Sequence, residues 1–347
     1  MRVILHIGQE RADAAGLQAA FTAAAGALLR AGILYPIPRR TADGPYAHTL
    51  LGTCLDDAKP GKLNRTQHRE LNDIFRPEEA FDQYGGLIEG LVRAHRPETV
   101  VLSADYLFRP VSETAATRLR RWLLGLRGDL SVAAYVRRPS ARYLSGLHQR
   151  LRVSPALPAP GPVAYRPVLE AWRAGFGERL KVIAWDGPGD IVADFAARFV
   201  PGAAEAGLRA DAAPAAAPSA ELMAILQDFM TATGSAQGAA VEAELQAPLP
   251  RLGGGPEAAR LRPEVAAHID RASPDAGWLR DMFGAVFEAF PYDAPAAPPW
   301  AGPETPRVCD LCVVDEGLMR RIVYSHLDRL LRNDRKARAA VRARDAA

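Results

Sequence analysis

Short apolar runs alternate with segments of helical periodicity through the N-terminal part of the chain. Four runs have the length and composition of buried strands, and they span 2–7, 99–103, 131–136 and 180–185. The segment after the first run repeats apolar residues at helical spacing, with Leu17, Phe21 and Leu28 on one face. Strands that alternate with helices predict an α/β fold with a mainly parallel sheet flanked by helices.

Further helices follow from the same periodicity. They are predicted at about 79–95, 112–127, 141–152, 165–175 and 190–199. Ser112 is the predicted N-cap of its helix, because a serine hydroxyl accepts a hydrogen bond from the free N–H groups of the first turn. Ile33 begins a short extended stretch, which Pro36 ends.

The C-terminal part of the chain has a different pattern. An Ala- and Pro-rich stretch covers 201–220, and 221–290 shows helical patterning without clear strands. We therefore expect an α/β domain at 1–293 that includes a helical subregion at about 221–290. A Pro-rich connection at 294–314 and a basic amphipathic helix at 315–347 complete the expected organisation.

Leucine, isoleucine and arginine dominate the predicted C-terminal helix. Its apolar residues include Leu318, Ile322, Leu327, Leu330 and Leu331. We expect this face to pack on the body of the protein or on a second copy of the chain, with the arginines outward. A membrane surface or an acidic partner is the less favoured use of the basic face.

Composition excludes several classes of protein. The chain has 347 residues, 48% hydrophobic, which suffices for a sizeable core and excludes a wholly disordered chain. A net charge of +3 does not indicate a general nucleic-acid binder. The N-terminal run is shorter than the ~18 residues of a membrane span and lacks a signal-peptide cleavage region. A cytoplasmic protein without a transmembrane segment is expected.

The three cysteines do not form a disulfide framework. They are Cys54, Cys309 and Cys312. The last two have the spacing of a metal or redox pair, but a zinc site needs two more ligands at similar spacing. The sequence predicts no metal, and it leaves the role of Cys309 and Cys312 open.

The residues best placed to bind a ligand lie in the loops after the first three predicted strands. Ligands of open parallel sheets bind beyond the carboxyl ends of the strands, and these loops span 8–15, 104–110 and 137–145. The first loop leads into a helix, whose N-terminal N–H groups bind anions. In the third loop, Arg137 and Ser145 offer a guanidinium fork and a hydroxyl that suit one phosphate group.

Two local motifs carry a resemblance to a known family. The N-terminus has His6-Ile7-Gly8, with Leu17-Gln18 in the next helix, and the third strand ends in Tyr-Val-Arg-Arg-Pro at 135–139, with Ser145 eight residues after Arg137. This pattern resembles the bacterial sulfotransferases that use 3′-phosphoadenosine 5′-phosphosulfate (PAPS), over about residues 1–293. The resemblance implies a P-loop NTPase-like sulfotransferase fold, PAPS as the sulfonate donor, and Arg137 and Ser145 on the donor's 3′-phosphate.

The donor loop departs from that family. Where the family has Lys-Thr-Gly-Thr-Thr-Ser, this chain has Arg-Ala-Asp-Ala-Ala-Gly at 11–16. The resemblance places Gly8, Arg11, Asp13 and Ala14 at the donor. Arg11 keeps the positive charge of the lysine, which neutralises the transferred group. Asp13 carries the same sign of charge as the donor, and it is equally well interpreted as an N-cap that occupies the N–H groups an anion needs.

Transfer to an acceptor hydroxyl requires a base near the sulfur. His48, in the polar stretch at 41–78, and Asp105, after the second strand, are the candidates, and Asp105 lies where the family often has an acidic residue. A histidine in a loop is also typical of a surface position, and an aspartate after a strand is also typical of a turn or cap.

The sequence therefore leaves two functions open. The first is transfer of a sulfonate to a hydroxyl or amine of a carbohydrate or small molecule, with Arg11, His48 and Asp105 as catalytic candidates. The second is a non-catalytic protein that keeps the fold to bind a nucleotide or a partner. A P-loop kinase is disfavoured because no Gly-x-x-x-x-Gly-Lys-Ser/Thr motif occurs. Nothing in the sequence identifies the acceptor.

Overall fold

The computed structural model describes residues 1–8, 14–38, 46–53, 55, 79–186, 190–209, 218–234, 237–246 and 257–345. Its strands are β1 Arg2–His6, β2 Ile33–Leu34, β3 Thr99–Ser103, β4 Asp129–Arg137 and β5 Leu180–Trp185. Its helices are α1 Ala14–Arg30, α2 Thr49–Thr53, α3 Ala80–His95, α4 Glu113–Gly125, α5 Pro139–Leu151, α6 Arg166–Phe176, α7 Ile191–Phe199, α8 Ala220–Thr233, α9 Gly238–Gln246, α10 Pro263–Arg271, α11 Asp275–Phe283, α12 Val308–Leu311 and α13 Glu316–Asp345.

The five strands form one parallel sheet in the order β2-β3-β1-β4-β5. The central strand β1 pairs with β3 on one side and with β4 on the other, so that Val3 lies opposite both Val100 and Leu130. All five residues of β3 are buried, as expected of a strand covered on both faces. The predicted α/β fold with a parallel sheet is confirmed, and the four predicted strands are neighbours in it.

Helices cover both faces of the sheet. On one face, α1 and α7 pack against the strands, and the buried cluster there includes Ile4, Phe21, Tyr135 and Phe195. On the other face, α4 contacts β4 and α6 contacts β5, and these two helices also contact each other. Burial of large apolar side chains between the layers supplies the main favourable term of folding.

Polar side chains cap the N-termini of α4 and α7. Ser112 is the N-cap of α4, since its hydroxyl accepts a hydrogen bond from the N–H of Ala115 at 3.1 Å. Asp190 caps α7 in the same way, accepting from the N–H groups of Val192 and Ala193. The extended stretch that begins at Ile33 forms the short edge strand β2, which pairs with β3.

Contacts within the chain define two compact units. The first unit comprises Met1–Arg138, Ala164–Ala215 and Pro274–Phe290, and it contains the whole sheet. The second unit comprises Pro139–Val163, Ala216–Ser273 and Pro291–Ala347. Its helices pack around buried apolar side chains that include Leu147, Met223, Leu226, Ile269 and Ile322. The predicted division at 293 and 315 stays a prediction.

The C-terminal segment is helical, as predicted. In α13, Ile322 is buried and Leu318 is partly buried against α8 of the same unit. Leu327, Leu330 and Leu331, predicted to share that packed face, are exposed in the single chain. The reason is geometric: at 3.6 residues per turn they project from a different side of the helix than Leu318 and Ile322. Within the described residues, no helix is long and apolar enough to cross a membrane.

Candidate functional site

Strand order selects one edge of the sheet as the place for a ligand. The chain leaves β1 towards β2 and β3 on one side, and it leaves β4 towards β5 on the other side. The connections therefore diverge between the carboxyl ends of β1 and β4, and ligands of open parallel sheets bind at such a switch point. We call the residues at the ends of β1, β3, β4 and β5 the carboxyl edge. All of them belong to the first unit.

Gly8 lies directly after β1 and approaches a buried ring. A Cβ added at Gly8 would overlap Nε2 of His6, so only glycine fits here without a shift of the ring. His6 is fully buried, and its ring packs edge-on against Tyr135 and Phe195 at 6.0 and 5.6 Å between centroids. Close packing against the His6 ring therefore explains why the His6-Ile7-Gly8 motif has a glycine at position 8.

A hydrogen-bond chain links Gln18, Ser103 and His6. The Gln18 amide donates to the Ser103 hydroxyl at 3.2 Å, and that hydroxyl lies 2.9 Å from Nδ1 of His6. The Ser103 hydroxyl donates to Nδ1 or accepts from it, according to the tautomer of the ring. Burial lowers the pKa of His6 to about 3, so the ring is neutral at physiological pH.

Two ring nitrogens are buried at the carboxyl edge without a hydrogen-bond partner among the described residues. They are Nε2 of His6 and Nε1 of Trp185, the last residue of β5. Both rings flank Tyr135, whose centroid is 6.0 Å from that of His6 and 5.9 Å from that of Trp185. Buried polar atoms normally have a partner. His6 lies in the predicted strand 2–7, and neither ring was predicted as a site residue.

His48 is a buried residue held by the backbone. Its Nε2 donates to the carbonyl oxygen of Pro36 at 2.8 Å, and its Nδ1 accepts from the N–H of Ser103 at 3.1 Å. Burial lowers the pKa of His48 to about 4, against the opposing effect of these backbone bonds. Both ring nitrogens are thus occupied, and the lone pair that a general base needs already accepts a hydrogen bond. This geometry suits a residue that ties β3 to the chain before α2.

Asp105 has a more open position at the carboxyl edge. It begins a short 3₁₀ turn, Asp105–Leu107, directly after β3, and it is only partly buried. One carboxylate oxygen accepts from the N–H of Tyr106 at 3.1 Å. The turn is held from α6, where the Trp172 indole donates to the carbonyl oxygen of Leu107 at 3.1 Å. Both ring nitrogens of His48 are occupied, whereas the carboxylate of Asp105 still has lone pairs that can take a proton.

Along the strand direction, Arg137 lies beyond the carboxyl end of β1. His6 pairs with Ala133 in the register of β1 and β4, so Arg137 stands four residues beyond this level, or roughly 13 Å at the rise of a strand. The Tyr165 hydroxyl donates to the backbone carbonyl of Arg137 at 2.5 Å, and β5 places Trp185 opposite it. The strand end that carries the half-buried Arg137 is therefore fixed on two sides.

The other residues predicted to bind the sulfonate donor are Ala14, Arg11, Asp13 and Ser145. Ala14 is the first residue of α1 and is buried, whereas Arg11 and Asp13 lie outside the described residues. Ser145 lies in α5, which belongs to the second unit, and it is half-buried. A joint grip of Arg137 and Ser145 on one phosphate stays a prediction.

A buried carboxylate that the sequence analysis missed caps α5. Asp270, in α10 of the same unit, is fully buried, and it accepts hydrogen bonds from the N–H of Ser140 at 2.9 Å and from its hydroxyl at 3.1 Å. The N-terminus of α5 therefore binds the protein's own carboxylate. No local signal could have found this bond, because the two residues are 130 positions apart in the chain.

The cysteine pair does not have the environment of a reactive site. Cys312 is fully buried, and burial raises the pKa of its thiol to about 12, so the thiol stays protonated. Cys309 is half-buried, and Cys54 lies outside the described residues. Within the described ranges, no group of three or more histidine, cysteine or acidic side chains is placed to hold a metal ion.

Comparison with protein-family models, with curated proteins and with solved structures found no match for this chain. The two sequence motifs lie at the ends of the neighbouring strands β1 and β4.

Proposed function

We propose that the protein is a sulfotransferase-like enzyme with a P-loop NTPase-like fold, which transfers a sulfonate from PAPS to a hydroxyl or amine of a carbohydrate or small molecule in the cytoplasm. One observation carries the proposal. The two motifs that resemble sulfotransferases, at the ends of β1 and β4, are far apart in sequence yet lie on neighbouring strands at the switch point of the sheet. A donor with a phosphate at each end of its ribose needs two such anchor points.

The proposed chemistry uses positioning and charge. The donor's phosphosulfate lies beyond Gly8, where Arg11 and the N-terminus of α1 neutralise the charge that develops on the leaving phosphate. Arg137, with Ser145, binds the 3′-phosphate and fixes the other end of the donor. The acceptor oxygen attacks sulfur, the bond between sulfur and the bridging phosphate oxygen breaks, and the acceptor's proton passes to a base.

Asp105 is the favoured base in this mechanism. It lies at the end of β3, next to β1 in the sheet, and its carboxylate is partly accessible. His48 is disfavoured because both of its ring nitrogens bind backbone groups and its lowered pKa of about 4 makes it a weak base. A carboxylate can take the proton as the new bond forms.

A second candidate function has its own support. The chain lacks the loop glycine and the hydroxyls of the donor loop and has Asp13 among the replacements. A carboxylate there repels an incoming phosphosulfate or occupies the N–H groups that would bind it. A protein that binds a nucleotide or a partner without transferring sulfonate would keep Arg137 and tolerate these losses.

Calorimetric titration with adenosine 3′,5′-bisphosphate, the product of sulfonate transfer, tests the proposal. Binding that is tighter than that of adenosine 5′-monophosphate, which lacks the 3′-phosphate, is the expected result. Sulfonate transfer from PAPS to a panel of hydroxyl and amine acceptors then separates the two candidates. Binding without transfer supports the non-catalytic protein, and equal, weak affinity for both nucleotides contradicts a PAPS site of either kind.

A further inference from the structure

The C-terminal helix α13 presents a second, exposed apolar face. Tyr324, Leu327, Leu330 and Leu331 are 66%, 50%, 48% and 59% exposed, and we call these four residues the outer strip. At 100° per residue they lie within an arc of about 120° on the helix. The inner face, which contains the buried Ile322, packs on the rest of the second unit.

The inner face holds the helix in place. Arg329 forms an ion pair with Glu244 of α9, and Asp315 accepts hydrogen bonds from the N–H groups of Gly317 and Leu318 at 2.8 and 3.0 Å. The outer strip is therefore displayed by an anchored helix. Leu124 in α4 and Val153 after α5 are also exposed, but a contiguous apolar strip is what marks an interaction surface.

Charge indicates what covers the strip. The helix has nine basic and four acidic residues, a net charge of +5, whereas the whole chain has +3, so the rest of the chain carries −2. Arg321 and Arg335 are exposed at the border of the strip. A second copy would bring one positive helix against another, which like-charge repulsion opposes. A nucleic acid would pair with the arginines and leave the leucines in water.

We propose that α13 lies on an anionic lipid surface, with the outer strip in the boundary between headgroups and acyl chains. Basic residues beside an apolar strip, in a helix rich in charge, are the features of helices that lie in the plane of a membrane interface. The leucines enter the boundary, the Tyr324 ring sits at headgroup level, and Arg321 and Arg335 meet the lipid phosphates. This proposal does not depend on the sulfotransferase activity.

Cosedimentation of the full chain with vesicles tests the proposal. Vesicles of phosphatidylcholine with phosphatidylglycerol should bind the protein, and added salt should weaken the binding. Vesicles of phosphatidylcholine alone should bind it far less. The variant Leu327→Gln with Leu331→Gln should lose about tenfold in partitioning for each leucine, and Arg321→Gln with Arg335→Gln about fivefold for each arginine.

A matched control separates the outer strip from exposed apolar residues in general. Leu124→Gln with Val153→Gln removes two such residues outside α13 and should leave vesicle binding unchanged. The proposal is overturned if anionic vesicles do not bind the protein, or if the leucine variant binds them as well as the unaltered chain does. It is also overturned if the unaltered chain is a dimer that the leucine variant converts to a monomer, since a second copy then covers the strip. Binding of duplex DNA that competes with vesicles and persists in the leucine variant would likewise assign the helix to nucleic acid.

Discussion

Gly8 and His6 lie so close together that any side chain at position 8 would overlap the imidazole of His6. The ring cannot easily move away, because it is fully buried between Tyr135 and Phe195 and hydrogen-bonded to Ser103. The path of the chain as it leaves β1 therefore depends on a glycine and a histidine together.

Gly8→Ala should destabilise the protein because the added methyl group forces the His6 ring out of its position. The expected loss in the free energy of unfolding is about 1–3 kcal/mol, as for other overpacked cores. Gly26→Ala is the matched control: Gly26 is exposed in the middle of α1, and a Cβ there meets nothing closer than the end of Arg30 at 4.0 Å. This control should gain roughly 0.5–1 kcal/mol. Urea unfolding measures both, and a Gly8→Ala protein as stable as the control would contradict the close approach.

Acid should destabilise the fold through His6 and His48. Burial lowers their folded-state pKa values to about 3 and about 4, below the usual histidine pKa of 6.5. The unfolded chain therefore takes up protons first, so the stabilisation is complete above pH 6.5 and is lost as the pH falls towards 4 and 3. Two such groups should reduce the free energy of unfolding by roughly 2 kcal/mol between pH 6 and pH 5.

Histidine variants separate this effect from the contribution of the acidic residues to the pH dependence. In His6→Asn the dependence of unfolding free energy on pH should fall to about half over the same interval, whatever the stability of the variant at pH 7. His95 is exposed at the end of α3, and His95→Asn should leave the dependence unchanged. Stability that stays constant from pH 6.5 to pH 5 in the unaltered protein would show that the two rings are not buried as neutral groups.

Removal of the Asp270 carboxylate should loosen the start of α5. In Asp270→Ala, the N–H and hydroxyl of Ser140 lose their acceptors in a buried place, at a cost of about 2–4 kcal/mol in the free energy of unfolding. Asp270→Asn keeps one acceptor oxygen and should cost less. Asp281→Ala removes a carboxylate that is 67% exposed beside Arg280 and should cost under about 0.5 kcal/mol. Equal stability of the Asp270 and Asp281 variants would contradict the cap.

The sheet could be predicted from the sequence because its signals are local. Each strand is a short apolar run, and Ser112 caps its helix through the hydroxyl of one residue and the N–H of another only three positions on. The environment of His48 could not be predicted in this way. Its position in a polar stretch indicated a surface or site residue, whereas Pro36 and Ser103, from two separate parts of the chain, surround the ring. Asp270 was missed for the same reason.

Arg137→Ala should weaken the binding of adenosine 3′,5′-bisphosphate by about 1.5–3 kcal/mol, or roughly 10- to 150-fold in Kd, if the guanidinium binds the 3′-phosphate. The affinity for adenosine 5′-monophosphate should change little, because that nucleotide lacks the group in question. Arg137→Lys should give an intermediate loss, since an ammonium cannot form the two-pronged contact. The same loss for both nucleotides would place Arg137 away from the 3′-phosphate.

Asp13 should limit the donor site if this protein binds PAPS. It lies outside the described residues, so the expectation rests on the resemblance of the sequence to sulfotransferases. Arg137 and Ser145 match their pattern, whereas this chain has Arg-Ala-Asp-Ala-Ala-Gly at 11–16 in place of their donor loop. As an N-cap, Asp13 would occupy the N–H groups that a phosphosulfate would use. Asp13→Gly should therefore tighten the binding of adenosine 3′,5′-bisphosphate, even though the lost cap costs a few tenths of a kcal/mol of stability.

The triple variant Arg11→Lys, Asp13→Gly and Ala14→Thr should tighten binding further, because it supplies a flexible loop and a hydroxyl donor. Ala14 is buried at the start of α1, so the double variant without Ala14→Thr is the control for overpacking, with thermal unfolding measured alongside calorimetry. Tight binding by the unaltered protein that weakens in Asp13→Gly would instead show a working site in which Asp13 takes part. A fold that stays intact in every variant, with no binding in any of them, would favour the non-catalytic protein, because restoring the loop would then restore nothing.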